Sequence, residues 1–157
     1  PNWVILLGFV SGGIARGLCV GAAVTFTISF FVEIQIHNFL IIVVTFFLTS
    51  IMFALAGCIN AVYAKTFDDI SIIPNFALLP LTYLSGMFYS IDILPSFWQS
   101  LSAFNPIFYM MDSFRLGFLG VSSVDLWKAF LIPGVMIIVL ALAANLMLNR
   151  GVSIKTE

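Results

Sequence analysis

The side chains that could take part in catalysis are few in this sequence, and they are far apart. His37 is the only histidine, which excludes a multi-histidine metal site and gives no nucleophile a nearby base. Asp68 and Asp69 are adjacent, and adjacent side chains on a helix point about 100° apart, so these carboxylates do not converge on one substrate. No G-x-x-x-x-G-K-[ST] phosphate-binding motif is present. We therefore predict no enzyme activity and no catalytic, cofactor-binding or metal site in this chain.

Both cysteines lie inside apolar segments. Cys19 and Cys58 are expected to act as small hydrophobic side chains rather than as a disulfide or a metal-binding pair. His37 is expected to be an interface residue rather than a general base.

The composition is that of an integral membrane protein. Hydrophobic residues make up 62% of the chain, charged residues only 8%, and the mean hydropathy is +1.16. A soluble domain carries about 25% charged residues, so this chain has too few polar groups to cover its surface and lipid must cover it. With no basic patch, nucleic acid is not an expected partner.

A single charged segment, AKTFDDISIIP at residues 64–74, separates two long uncharged ones. Since an uncharged helix of about 20 residues crosses roughly 30 Å of hydrocarbon, the segment is predicted to be a tight loop at one face of the membrane. Its aspartates would cap the following helix or, alternatively, help to dock a cytoplasmic partner.

The sequence predicts an all-α membrane fold with about four transmembrane helices. Residues 1–11 are apolar but too short to span before the glycines at positions 12 and 13 begin, and they are expected to be the tail of an interfacial or loop helix. Arg16 is placed at the start of the first span, from where it can snorkel to water, so that no charge lies deep in any span. Pro80 should kink the third span. The predicted spans are residues 14–33, 39–64, 72–91 and 126–149.

Small residues recur every four positions along the first span. The series is Gly13, Gly17, Gly21, Thr25 and Ser29. A ridge of this kind lets helix backbones approach closely in lipid. The ridge is expected either to pack within the chain or to form a dimer seam, and the sequence leaves both open.

Residues 92–124 are apolar and aromatic but are interrupted by prolines and glycines. Neither half is long enough to cross a membrane, so we predict two short re-entrant or interfacial helices before the last span. Asp112 and Arg115, three residues apart on the second helix, are expected to form a surface pair. Irregular backbone at membrane depth is tolerated only where protein or a water-filled cavity surrounds it.

The basic residues predict the orientation. With four spans, one side of the membrane carries twice as many basic residues as the other, and that side is expected to be cytoplasmic. This places the 64–74 loop and the C-terminus inside, and residues 92–124 outside. The inner group is Arg16, Lys65, Arg150 and Lys155, and the outer pair is Arg115 and Lys128.

Several motifs together resemble the permease subunits of bacterial type-2 ABC exporters, over nearly the whole chain. They are GGIARGLCVGAAV, AKTFDDISIIP, PLTYLSGMFYSI with LPSFW, and NPIFYMMDSFRLGFLG. The resemblance implies a six-span permease of the bacterial inner membrane that pairs with a second copy and binds a separate cytoplasmic ATPase, which would hold ATP and Mg. This chain would be the last four spans, and residues 1–13 would end a cytoplasmic coupling segment.

The resemblance also implies roles for individual residues in an alternating-access mechanism, although aromatic side chains at these positions also suit an interfacial belt. The cytoplasmic turn and coupling region would contain Arg16, Lys65, Phe67, Asp68 and Asp69. The exit path and external gate would contain Tyr83, Met87, Phe88, Tyr89, Phe97, Trp98 and Tyr109. The alternatives are a channel or carrier that needs no ATPase, and a membrane scaffold. The sequence does not distinguish drugs, lipid-linked glycans and polysaccharides as cargo.

Overall fold

The fold is all-helical throughout the residues that the structure describes. The structure is a computed structural model that describes residues 2–64, 66–88 and 93–149. The prediction of an all-α fold is confirmed. The helices are α1 (Asn2–Ser29), α2 (Phe39–Tyr63), α3 (Phe67–Ile73), α4 (Leu79–Tyr83), α5 (Ser96–Ala103), α6 (Pro106–Leu119) and α7 (Leu126–Asn149).

Three of these helices, α1, α2 and α7, are long and apolar enough to cross a membrane. They pack against one another. Where they meet, Leu6, Leu55, Cys58 and Ala144 form a buried apolar cluster. Cys58 therefore sits in the packed core, whereas Cys19 is an exposed free thiol.

Helix α1 begins well before the predicted first span. It runs without a break from Asn2 to Ser29, whereas the predicted span covers residues 14–33. The glycines at positions 12 and 13 were expected to separate two segments, but glycine is tolerated inside membrane helices, and the backbone continues through both. Residues 2–13 thus belong to the same helix as the first predicted span. Their coupling role stays a prediction.

The third predicted span, residues 72–91, is shorter than expected and is not one regular α-helix. Helices α3 and α4 are joined by a π-helical turn, Pro74–Leu78, in which the Leu79 N–H bonds to the Pro74 carbonyl. Pro80 lacks an N–H, so one backbone hydrogen bond is missing near this turn, where the sequence predicts a kink. The three pieces form one helical path of roughly 25 Å that ends at Tyr83. We call residues 67–88 the third segment. Part of the predicted span, residues 89–91, lies outside the described residues.

The two short helices predicted within residues 92–124 are present as α5 and α6. Helix α6 lies against both α2 and α7. Six of its fourteen residues are buried, namely Ile107, Tyr109, Met110, Asp112, Ser113 and Gly117. One side of this short helix is therefore covered by protein, which agrees with the expectation that an interrupted backbone in a membrane packs against other helices.

The C-terminal end of α6 is fixed to the start of α2. The Gly117 carbonyl accepts hydrogen bonds from the backbone N–H groups of His37 and Asn38, at 3.0 and 2.9 Å. Gly120 then ends the helix with a φ of +72°, a conformation that favours glycine, in contact with the His37 ring. Helix α6 ends at this edge of the bundle, and α7 starts a few residues later. Helices α5 and α6 are the pair that the sequence predicts to be re-entrant or interfacial, and we call them the re-entrant hairpin.

Candidate functional site

The turn of the re-entrant hairpin is built around Asn105, which is 2% exposed. Its Nδ2 donates to the Leu81 carbonyl at 2.6 Å, and its Oδ1 accepts from the Ile107 N–H at 3.0 Å. Pro106 follows at the first position of α6, where a helix does not use an N–H. The Tyr109 hydroxyl donates to the Ala103 carbonyl at 2.7 Å. These bonds fix the turn and connect it to the third segment.

Asp112 fastens the loop that joins α6 to α7. Its carboxylate is 1% exposed and accepts from the Ser122 hydroxyl at 2.6 Å and from the Ser123 N–H at 3.0 Å. A buried carboxylate is costly without hydrogen bonds, and both of its oxygens are satisfied here. The predicted surface pair of Asp112 with Arg115 is therefore wrong, because the aspartate is buried and bonds to the loop ten residues away.

Arg115 instead binds the end of the third segment. Its Nη2 donates to the Gly86 carbonyl at 3.0 Å. Gly86 is buried and has a φ of +74°, which a glycine adopts without strain. The third segment is thus tied to the hairpin at two places, Leu81 and Gly86, through side chains that sequence reasoning did not pair.

The described residues predicted for the exit path and external gate include two pairs of rings in contact. Tyr83 and Phe88 stack at 5.5 Å between ring centroids, and Phe97 and Trp98 meet at the same distance. These four rings, and Met87, are exposed on the outside of the molecule. Tyr109 is buried, with its hydroxyl turned to α5. Tyr89 lies outside the described residues.

The predicted cytoplasmic turn begins α3. Thr66 and Asp69 form a reciprocal cap: the Asp69 carboxylate accepts from the Thr66 N–H at 2.9 Å, and the Thr66 hydroxyl accepts from the Asp69 N–H at 3.3 Å. Asp68 is exposed. Asn60 anchors the turn to α2 by donating to the Ile70 carbonyl at 2.9 Å. Lys65 lies outside the described residues, and Phe67 is the first residue of α3.

The three glycines of the small-residue ridge face α2. A Cβ added to Gly13 would lie 2.6 Å from the Ala54 Cβ. One added to Gly17 would lie 3.0 Å from the Ser50 Oγ, and one at Gly21 would lie 3.8 Å from the Phe46 ring. These glycines permit the close approach of α1 and α2 within this chain.

The structure does not bring Arg16 to the turn at residues 66–69. The ridge contacts show that α1 and α2 are antiparallel, because Gly13 lies opposite Ala54 and Gly17 lies opposite Ser50. In this register the numbers of two opposite residues add up to 67. Arg16 is therefore level with residue 51, midway along Phe39–Tyr63, and about 18 Å from either end of that helix. The expectation that Arg16 marks the start of a span depended on a helix break that is absent.

Beside Arg16 lies a groove of about 930 Å³ between α1 and α2, which we call the α1–α2 groove. Gly8 and Gly12 leave it open on the α1 side, since an added Cβ at either would meet no atom within 4 Å. Arg16, Phe46, Phe53 and Phe114 also line it. No group of three or more potential metal-ligating side chains occurs in the ranges that the structure describes.

Comparison with known proteins places this helical arrangement in a family. The model of the ABC-2 type transporter family matches residues 1–119. The chain therefore belongs to this family of membrane proteins, and the resemblance inferred from its motifs is confirmed.

The chain is similar to the inner membrane transport permease YadH. The YadH proteins of Escherichia coli K12 and Shigella flexneri are each 50% identical to it over 151 residues, which is 96% of this chain and 59% of theirs. Nodulation protein J of Rhizobium leguminosarum bv. viciae is 29% identical over 73 residues, 46% of this chain and 28% of that protein. The chain thus spans about three fifths of the length of its YadH relatives. No solved structure matches it.

Proposed function

We propose that this chain is part of the membrane-spanning subunit of an ATP-driven exporter. Two copies of the subunit would form the translocation path, and a separate cytoplasmic subunit would bind ATP and Mg and hydrolyse the nucleotide. The observation that carries the proposal is the match to the ABC-2 type transporter family over residues 1–119. The absence of a phosphate-binding motif from this sequence agrees with a nucleotide site on another polypeptide.

We place the protein in the bacterial inner membrane with its C-terminus in the cytoplasm. Support comes from the names of the YadH relatives and from the basic residues outside the predicted spans, which without Arg16 are three on the inner side, Lys65, Arg150 and Lys155, and two on the outer side, Arg115 and Lys128. In this orientation the Thr66–Asp69 cap faces the ATPase, and the start of α2 and the end of α6 lie at the outer face.

The third segment is the element best suited to move during transport. Its residues 71–77 are all exposed, so it has few contacts with the bundle between its ends. It is held by the Asn60–Ile70 bond at one end and by the bonds from Asn105 and Arg115 at the other. Helices α1, α2, α6 and α7 would then act as a fixed frame, with the π turn as the hinge.

The proposal is tested by purifying the full-length protein gently from its own membranes. We expect an ATP-hydrolysing subunit to accompany it at about one to one, and hydrolysis to stop when the phosphate-loop lysine of that subunit is replaced. A pure permease with no ATPase would overturn the proposal and would favour a channel, a carrier or a scaffold.

A further inference from the structure

One buried polar group of the helix bundle, the hydroxyl of Thr45 on α2, is not explained by the contacts described above. Thr45 is 2% exposed, and its Oγ1 has no hydrogen-bond partner among the described residues. Thr49, one turn further along α2, instead donates its hydroxyl to the Thr45 carbonyl at 2.7 Å, within its own helix. Buried hydroxyls in proteins are bonded to protein or to ordered water, because an unpaired one costs free energy. The Thr45 hydroxyl therefore needs a partner that lies between α2 and its neighbours.

Helix α7 has the complementary feature, a buried acceptor without its usual donor. Pro133 lies inside this helix and is less than 2% exposed. Because proline has no N–H, the Ala129 carbonyl one turn earlier lacks the donor that an α-helix provides. Ala129 is 2% exposed and shares a face of α7 with Pro133. In an apolar environment a carbonyl freed by a proline is satisfied by a neighbouring side chain or by ordered water.

The packing of α2 against α7 brings these two groups to the same level. Both helices begin beside the C-terminal end of α6 and contact each other, and Leu55 and Ala144 meet further along in a buried cluster, so the two helices run parallel. Thr45 lies ten residues before Leu55, and ten residues before Ala144 is position 134, next to Pro133. Since both helices rise by the same amount per residue, Thr45 is level with the proline.

Helix α6 supplies a third polar group at this level. It packs against both α2 and α7, and Gly117 near its C-terminal end contacts Ile42 near the start of α2. One turn inward from this contact, Ser113 on α6 lies opposite Thr45 on α2. Ser113 is 1% exposed, and its hydroxyl donates to the Tyr109 carbonyl at 2.8 Å. The oxygen of that hydroxyl can still accept a hydrogen bond.

We propose that one buried water molecule is bound where α2, α6 and α7 meet. It accepts a hydrogen bond from the Thr45 hydroxyl and donates to the Ala129 carbonyl and to the Ser113 hydroxyl oxygen. Three partners are typical of a buried water. The water thus replaces the backbone hydrogen bond that Pro133 removes from α7. The site depends only on the packing of three helices, so it holds or fails independently of the transport function proposed above.

The direct test is an experimental structure of the full-length protein at a resolution that shows ordered water. We expect a water peak within hydrogen-bond distance of Thr45 Oγ1 and of the Ala129 carbonyl oxygen. The peak should persist in Thr45→Ser, which keeps the hydroxyl, and disappear in Thr45→Val. A structure without water between these groups would overturn the proposal, and so would a Thr45 hydroxyl bonded directly to a carbonyl of α2 or α7.

A cycle of two substitutions tests the same link in solution, from the denaturant unfolding of the purified full-length protein. Thr45→Val should lower the folding equilibrium constant about fivefold, the effect expected for one buried hydrogen bond. With Pro133→Ala the new backbone N–H serves the Ala129 carbonyl, so Thr45→Val should then lower the constant by a clearly smaller factor. Thr49→Val is the matched control, because that hydroxyl bonds within α2 and its effect should be the same in both backgrounds. An equal effect of Thr45→Val in the two backgrounds would overturn the proposed link between Thr45 and Pro133.

Discussion

At the scale of single residues, the polar side chains of this protein tie backbone segments together. Asp112, Asn105 and Arg115 each bond to a main-chain group of another segment. In an apolar environment an unpaired polar group costs free energy, so each of these bonds fixes one loop position strongly. These three polar side chains therefore hold the re-entrant hairpin in place.

The hydrogen bonds of Asp112 predict that its replacement lowers stability much more than the replacement of Asp125. Asp112→Ala should lower the free energy of unfolding by about 1–3 kcal/mol, because the Ser123 N–H loses its acceptor and the Ser122 hydroxyl keeps only the Val124 carbonyl. Asp125→Ala removes only an exposed ion pair with Lys128 and should have little effect. Thermal unfolding of the purified full-length protein measures both. Equal shifts in the two variants would contradict the assigned role of Asp112.

Substitution by alanine should have opposite effects on stability at the neighbouring glycines 12 and 13. Gly13→Ala should destabilise the protein, since its Cβ would lie 2.6 Å from that of Ala54. Gly12→Ala should be neutral or slightly stabilising, because its Cβ meets open space and alanine favours the helix. Combining Gly13→Ala with Ala54→Gly should restore stability in the same unfolding assay. A destabilising Gly12→Ala would show that the register of α1 on α2 is wrong.

The two aspartates of the 66–69 turn are expected to have different roles, with Asp69 capping α3 and Asp68 contacting the ATPase subunit. Asp69→Ala removes the reciprocal bond to Thr66 and should destabilise α3 by about 1 kcal/mol. Asp68 is exposed, so Asp68→Ala should leave stability unchanged and reduce stimulation of the ATPase subunit. Unfolding and hydrolysis rates are measured on the same preparations. Normal hydrolysis with Asp68→Ala would remove this residue from the docking surface.

At the scale of elements, the sequence predicts the long apolar helices well and the interrupted ones less well. Helices α2 and α7 are predicted by the length and composition of their segments, because an uncharged segment of about 20 residues in lipid forms a helix that crosses the membrane. The start of α1 was missed because two glycines were interpreted as a break. The π turn at Pro74–Leu78 was missed because a proline predicts an interruption of the helix without specifying which N–H the Pro74 carbonyl accepts from. The role of Asp112 was missed because its partners lie on another segment.

The packing of α5 predicts which of its residues can be labelled by a thiol reagent after substitution by cysteine. In a variant without Cys19 and Cys58, Ser100→Cys should react quickly with a membrane-impermeant maleimide added to whole spheroplasts, because Ser100 is exposed. Ser102→Cys, two residues away on α5, should stay unreactive, since Ser102 is 0% exposed. Its hydroxyl has no hydrogen-bond partner among the described residues, so the exchange removes no bond. Fast labelling of Ser102→Cys would place α5 outside the bundle, and labelling of Ser100→Cys only from the cytoplasmic side would reverse the proposed orientation.

At the scale of the whole molecule, the chain combines a packed frame with a loosely attached segment. The frame consists of α1, α2 and α7, with α6 packed against both α2 and α7. The third segment lies at the edge and is bonded at its two ends. This division suits the exporter subunit that we propose, in which a partner supplies energy, because a movement at the turn before α3 would be transmitted along one helical path to the hairpin.

The central claim is that ATP hydrolysis on a partner subunit depends on this permease. It is tested most directly by reconstituting the ATPase subunit in lipid vesicles with and without the full-length permease and measuring the rate of phosphate release. We predict a rate several-fold higher with the permease, and loss of this increase when Asn105→Ala and Arg115→Ala together remove both bonds between the third segment and the hairpin. The same rate in both preparations would contradict the claim and would show that the two proteins do not work together.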